Sequence, residues 1–339
     1  MIIDIPIEPL DMRYTKQWGE WFKDYFKKQR SRVYQVVGSP LTDKIEQGAF
    51  LDVCGTHYYK ASQLMRIAEI IHAGGIRDDD IFFFHDLWFP GIEALAYMRD
   101  ALGIKFKITG IFHAGTYDPT DWISEKGMGR WGEPLENSWL KFIDKIFVGT
   151  EFHRQLFLRN RFQYDIADKV VVTGFPLKNI QRDHTVQKDN IIVFPHRLNE
   201  DKNPRYFEYL KDWMNRSDYQ FIETHRLHLD KNSYYELLQK AKFVVSFATH
   251  ENYGISIREA IMCECFPVVP VWACYPEFIP KEFLHNGTPQ NCGQTIFNIM
   301  ACPIKYFDLL KKTEGRIRTI AGDSLPKILV ELDAIGNVL

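Results

Sequence analysis

Apolar residues along the chain follow two rhythms. Short unbroken runs such as IFFF and IIVF alternate with longer stretches in which apolar positions return every three or four residues. The first rhythm predicts strands buried on both faces, and the second predicts helices that cover them. Strands are expected at 32–38, 80–88, 106–115, 145–150 and 169–175, with a second series at 190–198, 219–225, 242–249 and 265–272. Helical spacing lies between them, in KASQLMRIAEIIHAG, GIEALAYMRDALG, SYYELLQKA and YGISIREAIMC. This alternation predicts parallel sheets, and two series predict two doubly wound α/β domains.

The rhythm lapses in PLKNIQRDHTVQKDN (176–190), the expected hinge. A first domain is placed at 1–180 and a second at 190–304. C-terminal helices follow over 305–339, interrupted at Gly322 to Pro326, with their first part crossing back to the first domain. The segment WGEWFKDYFKKQR (18–30) reads as an aromatic, basic amphipathic helix that docks on the first domain, with nucleic-acid contact as the alternative.

Composition changes this picture little. A length of 339 residues suits two domains, each with its own core. The 42 Lys and Arg against 44 Asp and Glu leave a net charge of -2, so any nucleic-acid contact would have to be local. Six cysteines show no CxxC pair and no matching histidine spacing, which favours buried thiols over zinc or disulfides. The opening MIIDIPIEPLDMRY lacks signal-peptide character and no apolar run is long enough to span a bilayer, so the expected compartment is the cytoplasm.

Ligands of open α/β sheets sit beyond the carboxyl ends of strands, and two such domains facing each other would make a cleft the natural active site. One strand end carries HENYGISIREAI (250–261). Glu251 falls in the turn, Gly254 lets the backbone approach a ligand, and the N–H groups of Ile255 and Ser256 open a helix towards an anion. Glu259 lies one helical turn further on. The opposing reading is a surface helix with solvated glutamates. A second strand end, PHRLNEDKNP (195–204), places Arg197 and Lys202 where a departing diphosphate would need cations.

In the first domain, FFFHDLW and GIFHAGTYDPTDW end their strands in His85 and His113, with Asp86, Thr116, Asp118 and Asp121 nearby. Gly55, Thr56 and His57 precede a helix and offer another anion contact. The acidic triplet of RDDDIF (77–82) reads as a solvated turn, and no metal is expected.

These stretches resemble retaining GT-B glycosyltransferases. YYELLQKAKFVVSFATHENYGISIREAIMCECFPVVP resembles their donor-binding segment, with one glutamate, seven residues and a second glutamate. NIIVFPHRLNEDKNP is similar to the segment whose Arg and Lys hold the donor diphosphate, and FFFHDLWFPGIEALAYMRDALGIKFKITGIFHAG to the paired strands ending in the active-site histidine. DKIFVGTEFHRQLFL and KVVVTGFPL resemble the stretches that close the first domain, so the likeness covers most of 80–285.

The resemblance implies two Rossmann-like domains across a cleft. It assigns Glu251 to the donor sugar, Glu259 to the nucleotide ribose, and Arg197 and Lys202 to the diphosphate. Backbone from Asn252 through Tyr253, Gly254 and Ile255 to Ser256 would line the donor, and His113 would lie near the reacting sugar. His85, Asp86, Thr116, Asp118 and Gly55-Thr56-His57 fall on the acceptor side. It further implies retention of anomeric configuration, a UDP- or GDP-sugar donor, and neither metal nor cofactor.

The second domain most resembles transferases that mannosylate queuosine in tRNA. The first departs, because GSPLTDKIEQGAFLDVCG replaces the glycine-rich turn expected after the first strand. A modified base in tRNA or DNA is one acceptor class, and a saccharide or small molecule the other. A sugar-nucleotide epimerase and a non-catalytic nucleotide-sugar-binding protein are the competing functions.

Overall fold

The computed structural model describes residues 1–10, 13–41, 52–336 and 338. Residues 42–51, most of the long insertion noted above, lie outside the described residues. The chain forms two compact units: Met1–Gly149, His153–Thr173 and Ser324–Leu339, and separately Thr150–Phe152 with Gly174–Asp323.

The first unit holds a parallel sheet of β1 (Ile2–Ile5), β2 (Val33–Gln35), β3 (Ile81–Phe84), β4 (Lys107–Ile111), β5 (Lys145–Val148) and β6 (Val170–Val172), in the order β2-β1-β3-β4-β5-β6. The four residues IIDI of β1 are completely buried. They form a central strand the sequence reading did not expect, because a run so short at the chain start, broken by Asp4, resembles an extended terminus. The strand expected at 32–38 shrinks to the edge strand β2, where Tyr34 is half exposed. The turn after the first strand is therefore Pro6–Leu10, which contains no glycine.

The helix Tyr14–Lys28 buries Trp18, Phe22 and Phe26, with Phe22 and Phe26 ring centroids 5.1 and 5.7 Å from Phe83. Each such ring is worth roughly 2–3 kcal/mol of burial, so this is a docking helix with a basic C-terminal edge at Lys27 and Lys28.

The second unit's parallel sheet contains β7 (Asp189–Phe194), β8 (Gln220–Glu223), β9 (Ala241–Val245), β10 (Phe266–Pro270) and β11 (Leu284–His285), ordered β11-β10-β9-β7-β8. β11 was not expected; two residues pairing with β10 leave no period to detect. Helix Pro303–Gly336 runs without the interruption expected at Gly322 to Pro326. Pro326 gives up only the bond to the carbonyl four residues back, which belongs to Gly322, where no side chain adds crowding. Its last part, from Ser324, groups with the first unit, rather than its first part.

Strand order reverses between β1 and β3 in one unit and between β7 and β9 in the other. At these switch points the helices of neighbouring strands diverge to opposite faces and leave a crevice at the carboxyl ends.

Candidate functional site

The second unit's switch point joins the segments after β7 and β9. Asn203 Nδ2 donates to the Phe247 carbonyl at 2.9 Å, and the Thr249 N–H donates to the Asp201 carbonyl at 2.9 Å. Lys202, 6 % exposed, brings its Nζ within 3.1 Å of Asp201 Oδ2 and 3.6 Å of Glu251 Oε2, and donates to the His250 carbonyl. Glu251 Oε1 accepts from the Gly254 N–H at 2.9 Å. Burial pushes the Glu251 carboxyl up, but the Lys202 ammonium and that N–H outweigh it and hold the group down at about 2.

Gly254 has φ 75° and ψ 48°, the left-handed region that glycine adopts without strain, and turns the chain into helix Ile255–Met262. No side chain caps this helix, so its first N–H groups, those of Ile255 and Ser256, point to solvent or a ligand. Tyr253 contributes backbone only: its ring packs on Phe175 at 4.7 Å and its hydroxyl donates to the Phe175 carbonyl. The buried Arg258 guanidinium lies 4.1 Å from the Tyr253 ring and 3.7 Å from Phe278, and Nε donates to the Tyr253 carbonyl, which fixes the turn from below.

His196, beside Arg197, pairs its Nε2 with Ser246 Oγ at 2.8 Å, and that oxygen meets the Tyr275 hydroxyl at 2.9 Å. Burial and the Lys202 charge bring this imidazole down to about 3, so it is neutral. Glu259 stands apart from Glu251's partners. Buried in its helix, it pairs with Lys231 Nζ at 2.8 Å and accepts from the Tyr235 hydroxyl at 2.9 Å. Neither His196 nor Lys231 stood out in the sequence. Lys231 could have been found only as a cation directly after the helix-capping Asp230.

In the first unit, His113 Nε2 donates to the His85 carbonyl at 2.8 Å, and Nδ1 lies 3.5 Å from the Tyr14 hydroxyl. Burial lowers the His113 pKa against the opposing pull of Asp86. His85 itself is a core residue: fully buried, it holds Asp4 Oδ1 through Nε2 at 2.6 Å, so β1 rather than a ligand is the side chain's partner. Asp86 Oδ2 pairs with Lys60 Nζ at 2.9 Å, a cation sequence reasoning missed because it sits mid-helix.

Thr116 is tied into a buried network, with its N–H and hydroxyl on Glu136 and Arg161 Nη2 donating to its Oγ1 at 2.7 Å. Asp118 holds the Thr120 N–H at 2.9 Å, and Asp121 caps helix Trp122–Glu125. Gly55, Thr56 and His57 lie inside helix Val53–His72 rather than before it. The Gly55 N–H is taken by Asp52 Oδ1 and the Thr56 N–H by the Asp52 carbonyl, so neither is an anion contact; Thr56 Oγ1 donates to Glu8 Oε2 at 3.0 Å.

The fold has known relatives. Sucrose-phosphate synthase from Thermosynechococcus elongatus superposes with a TM-score of 0.71, covering 98% of this chain and 99% of that one at 11% identity. The chain, with its two Rossmann-like units, carries the GT-B glycosyltransferase fold. The same GT-B architecture matches a trehalose-phosphate synthase (UDP-forming) from Burkholderia vietnamiensis, with a TM-score of 0.58, 12% identity, and coverage of 82% of this chain and 83% of that one. A TarM mutant from S. aureus, solved with UDP and alpha-GlcNAc-glycerol, gives a TM-score of 0.59 at 14% identity over 80% of this chain and 58% of that one.

In sequence, the chain is 36% identical over 76 residues to the Drosophila melanogaster tRNA-queuosine alpha-mannosyltransferase. That match spans 22% of this chain and 20% of the relative. No family model matches. Among the described residues, no helix is long and apolar enough to cross a membrane.

Proposed function

We propose that the chain is a retaining glycosyltransferase that moves a hexose from a UDP- or GDP-sugar to a hydroxyl acceptor. The observation that carries this reading is the switch point between β7 and β9, where Lys202, Glu251 and an uncapped helix start meet on segments stitched together by hydrogen bonds. An ionised carboxylate is suited to the donor sugar's hydroxyls. Arg197, Lys202 and the first N–H groups of helix Ile255–Met262 are suited to a diphosphate whose charge grows as the bond to the sugar breaks. Glu259 takes the ribose, and His113, a neutral imidazole, is assigned to the reacting sugar.

The acceptor oxygen attacks C1 on the face the diphosphate leaves, and its proton passes to the departing phosphate oxygen. No side-chain nucleophile, metal or cofactor enters this scheme. The likeness to the tRNA-queuosine enzyme supports a hydroxyl on a modified tRNA base as acceptor, while the sucrose-phosphate and trehalose-phosphate synthases among its structural neighbours keep a saccharide as the alternative.

A panel of UDP-, GDP- and ADP-sugars, each with tRNA, DNA and saccharide acceptors, tests this by nucleotide release, with the product's anomeric configuration read by NMR. Glu251→Ala should reduce turnover by at least about a hundredfold, the scale of losing a group that acts at the reacting centre, with circular dichroism unchanged. Nucleotide binding without release across the whole panel would favour a non-catalytic binding protein.

A further inference from the structure

Glu259 is 2 % exposed, and its carboxylate is already engaged. Oε1 accepts from Lys231 Nζ at 2.8 Å and from the Tyr235 hydroxyl at 2.9 Å, and Oε2 accepts from the same Nζ at 3.1 Å. A carboxylate offers about four acceptor positions. One is left, and a vicinal diol needs two.

Lys231 is not where helix stability would put it. It is the first residue of helix Lys231–Lys240, directly after the cap Asp230, and a cation at a helix N-terminus opposes the helix dipole. In a parallel α/β unit that N-terminus follows the carboxyl end of a strand, here β8, which neighbours β7 in the sheet. The ammonium therefore belongs to the same end of the sheet as Arg197 and Lys202. It also lies 5.2 Å from the rings of both Tyr234 and Tyr235. Its side chain is 18 % exposed against 3 % for that of Glu259, so the lysine, and not the glutamate, has a route to solvent.

We propose that Lys231 is a positioning residue for the donor nucleotide. It supplies the countercharge that holds the Glu259 carboxylate in place in a buried position, and it yields Oε2 when a ribose arrives. With Nζ kept on Oε1 alone, Oε2 has both lone pairs for the 2′- and 3′-hydroxyls. Lys231 thus sets discrimination between ribo- and deoxyribonucleotides, and with it donor affinity. The inference rests on the glycosyltransferase reading of Glu259.

Calorimetric titration of the full chain with UDP, GDP and their 2′-deoxy counterparts tests it in wild type, Lys231→Met, Lys231→Arg and Glu259→Gln. A site that hydrogen-bonds a hydroxyl rejects the analogue lacking it, and here the expected preference for ribose is about tenfold or more in the wild type. Lys231→Met should cut it to about twofold and also lower the melting temperature, because the buried Glu259 carboxylate loses its countercharge, with Lys231→Arg restoring most of the preference. A structural ion pair alone would move the melting temperature and leave the ribose preference intact. Retention of wild-type discrimination by Lys231→Met, when Glu259→Gln has lost it, overturns the role of Lys231 only. Equal binding of ribo- and deoxyribonucleotides by the wild type, or no nucleotide binding at all, removes the reading of Glu259 and the proposal with it.

Discussion

At the scale of single residues, burial meets opposite outcomes among the second unit's titratable groups: Glu251 keeps its charge against it, while His196 and His285 are made neutral by it. Glu251 is kept near 2 by Lys202 and the Gly254 N–H, below the ordinary 4.5. A depressed carboxyl contributes stability that is complete above its unfolded value and is lost as pH falls through the folded one, here from about 4.5 towards 2. His196 and His285 add a second acid sensitivity at higher pH. Burial lowers them from 6.5 to about 3 and about 4, so the stability of their neutral forms is complete above 6.5 and declines as pH falls towards those values. The melting temperature should therefore begin to fall below pH 6.5, before most carboxylates protonate. His285→Gln, which keeps a donor for the Ser246 carbonyl that His285 Nε2 meets at 2.9 Å, should flatten that upper part of the curve. An identical slope between pH 6.5 and 4.5 in the variant would assign the sensitivity elsewhere.

At the scale of elements, β1 and the turn around Gly254 carry the largest consequences. Asp4 on β1 is the buried partner of His85, the residue directly after β3, and its other oxygen accepts from Gln35 Nε2 at 2.8 Å on the opposite neighbour β2. One side chain thus ties three strands together. Asp4→Ala leaves the His85 imidazole without its partner and takes one of two acceptors from Gln35 Nε2, which keeps the Gly19 carbonyl at 2.7 Å, and should destabilise the first unit by about 2–4 kcal/mol in a urea unfolding series. Gly254→Ala forces a side chain onto a left-handed residue, while its Cβ would meet Phe278 and Tyr275 only in ordinary contact at 3.4 and 3.5 Å, so the cost is conformational. We expect a cost of about 1–2 kcal/mol together with weaker nucleotide binding, because the turn aims the first N–H groups of the helix. Unchanged affinity in Gly254→Ala would show that those groups do not contact the ligand.

At the scale of the whole molecule, a nucleotide that binds only the folded second unit should raise its stability by mass action, about 2.7 kcal/mol at a hundred times the dissociation constant. Differential scanning calorimetry with UDP or GDP should show this rise in the wild type and a much smaller one in Lys202→Ala. The hydrophobic rhythm alone determined that the chain builds two parallel sheets covered by helices, because strands buried on both faces write continuous apolar runs and the covering helices write a period near 3.6. It also placed Arg197, Lys202 and Glu251 after strand ends, since position along the chain relative to a strand follows directly from chain order. Tertiary structure decided the rest. Whether a polar strand-end residue faces a ligand or another side chain depends on partners distant in sequence. Asp4 claims His85, Glu136 and Arg161 claim Thr116, and Lys231 claims Glu259. No local pattern records those pairings, because each is set by the order of strands in a sheet rather than by the order of residues in the chain.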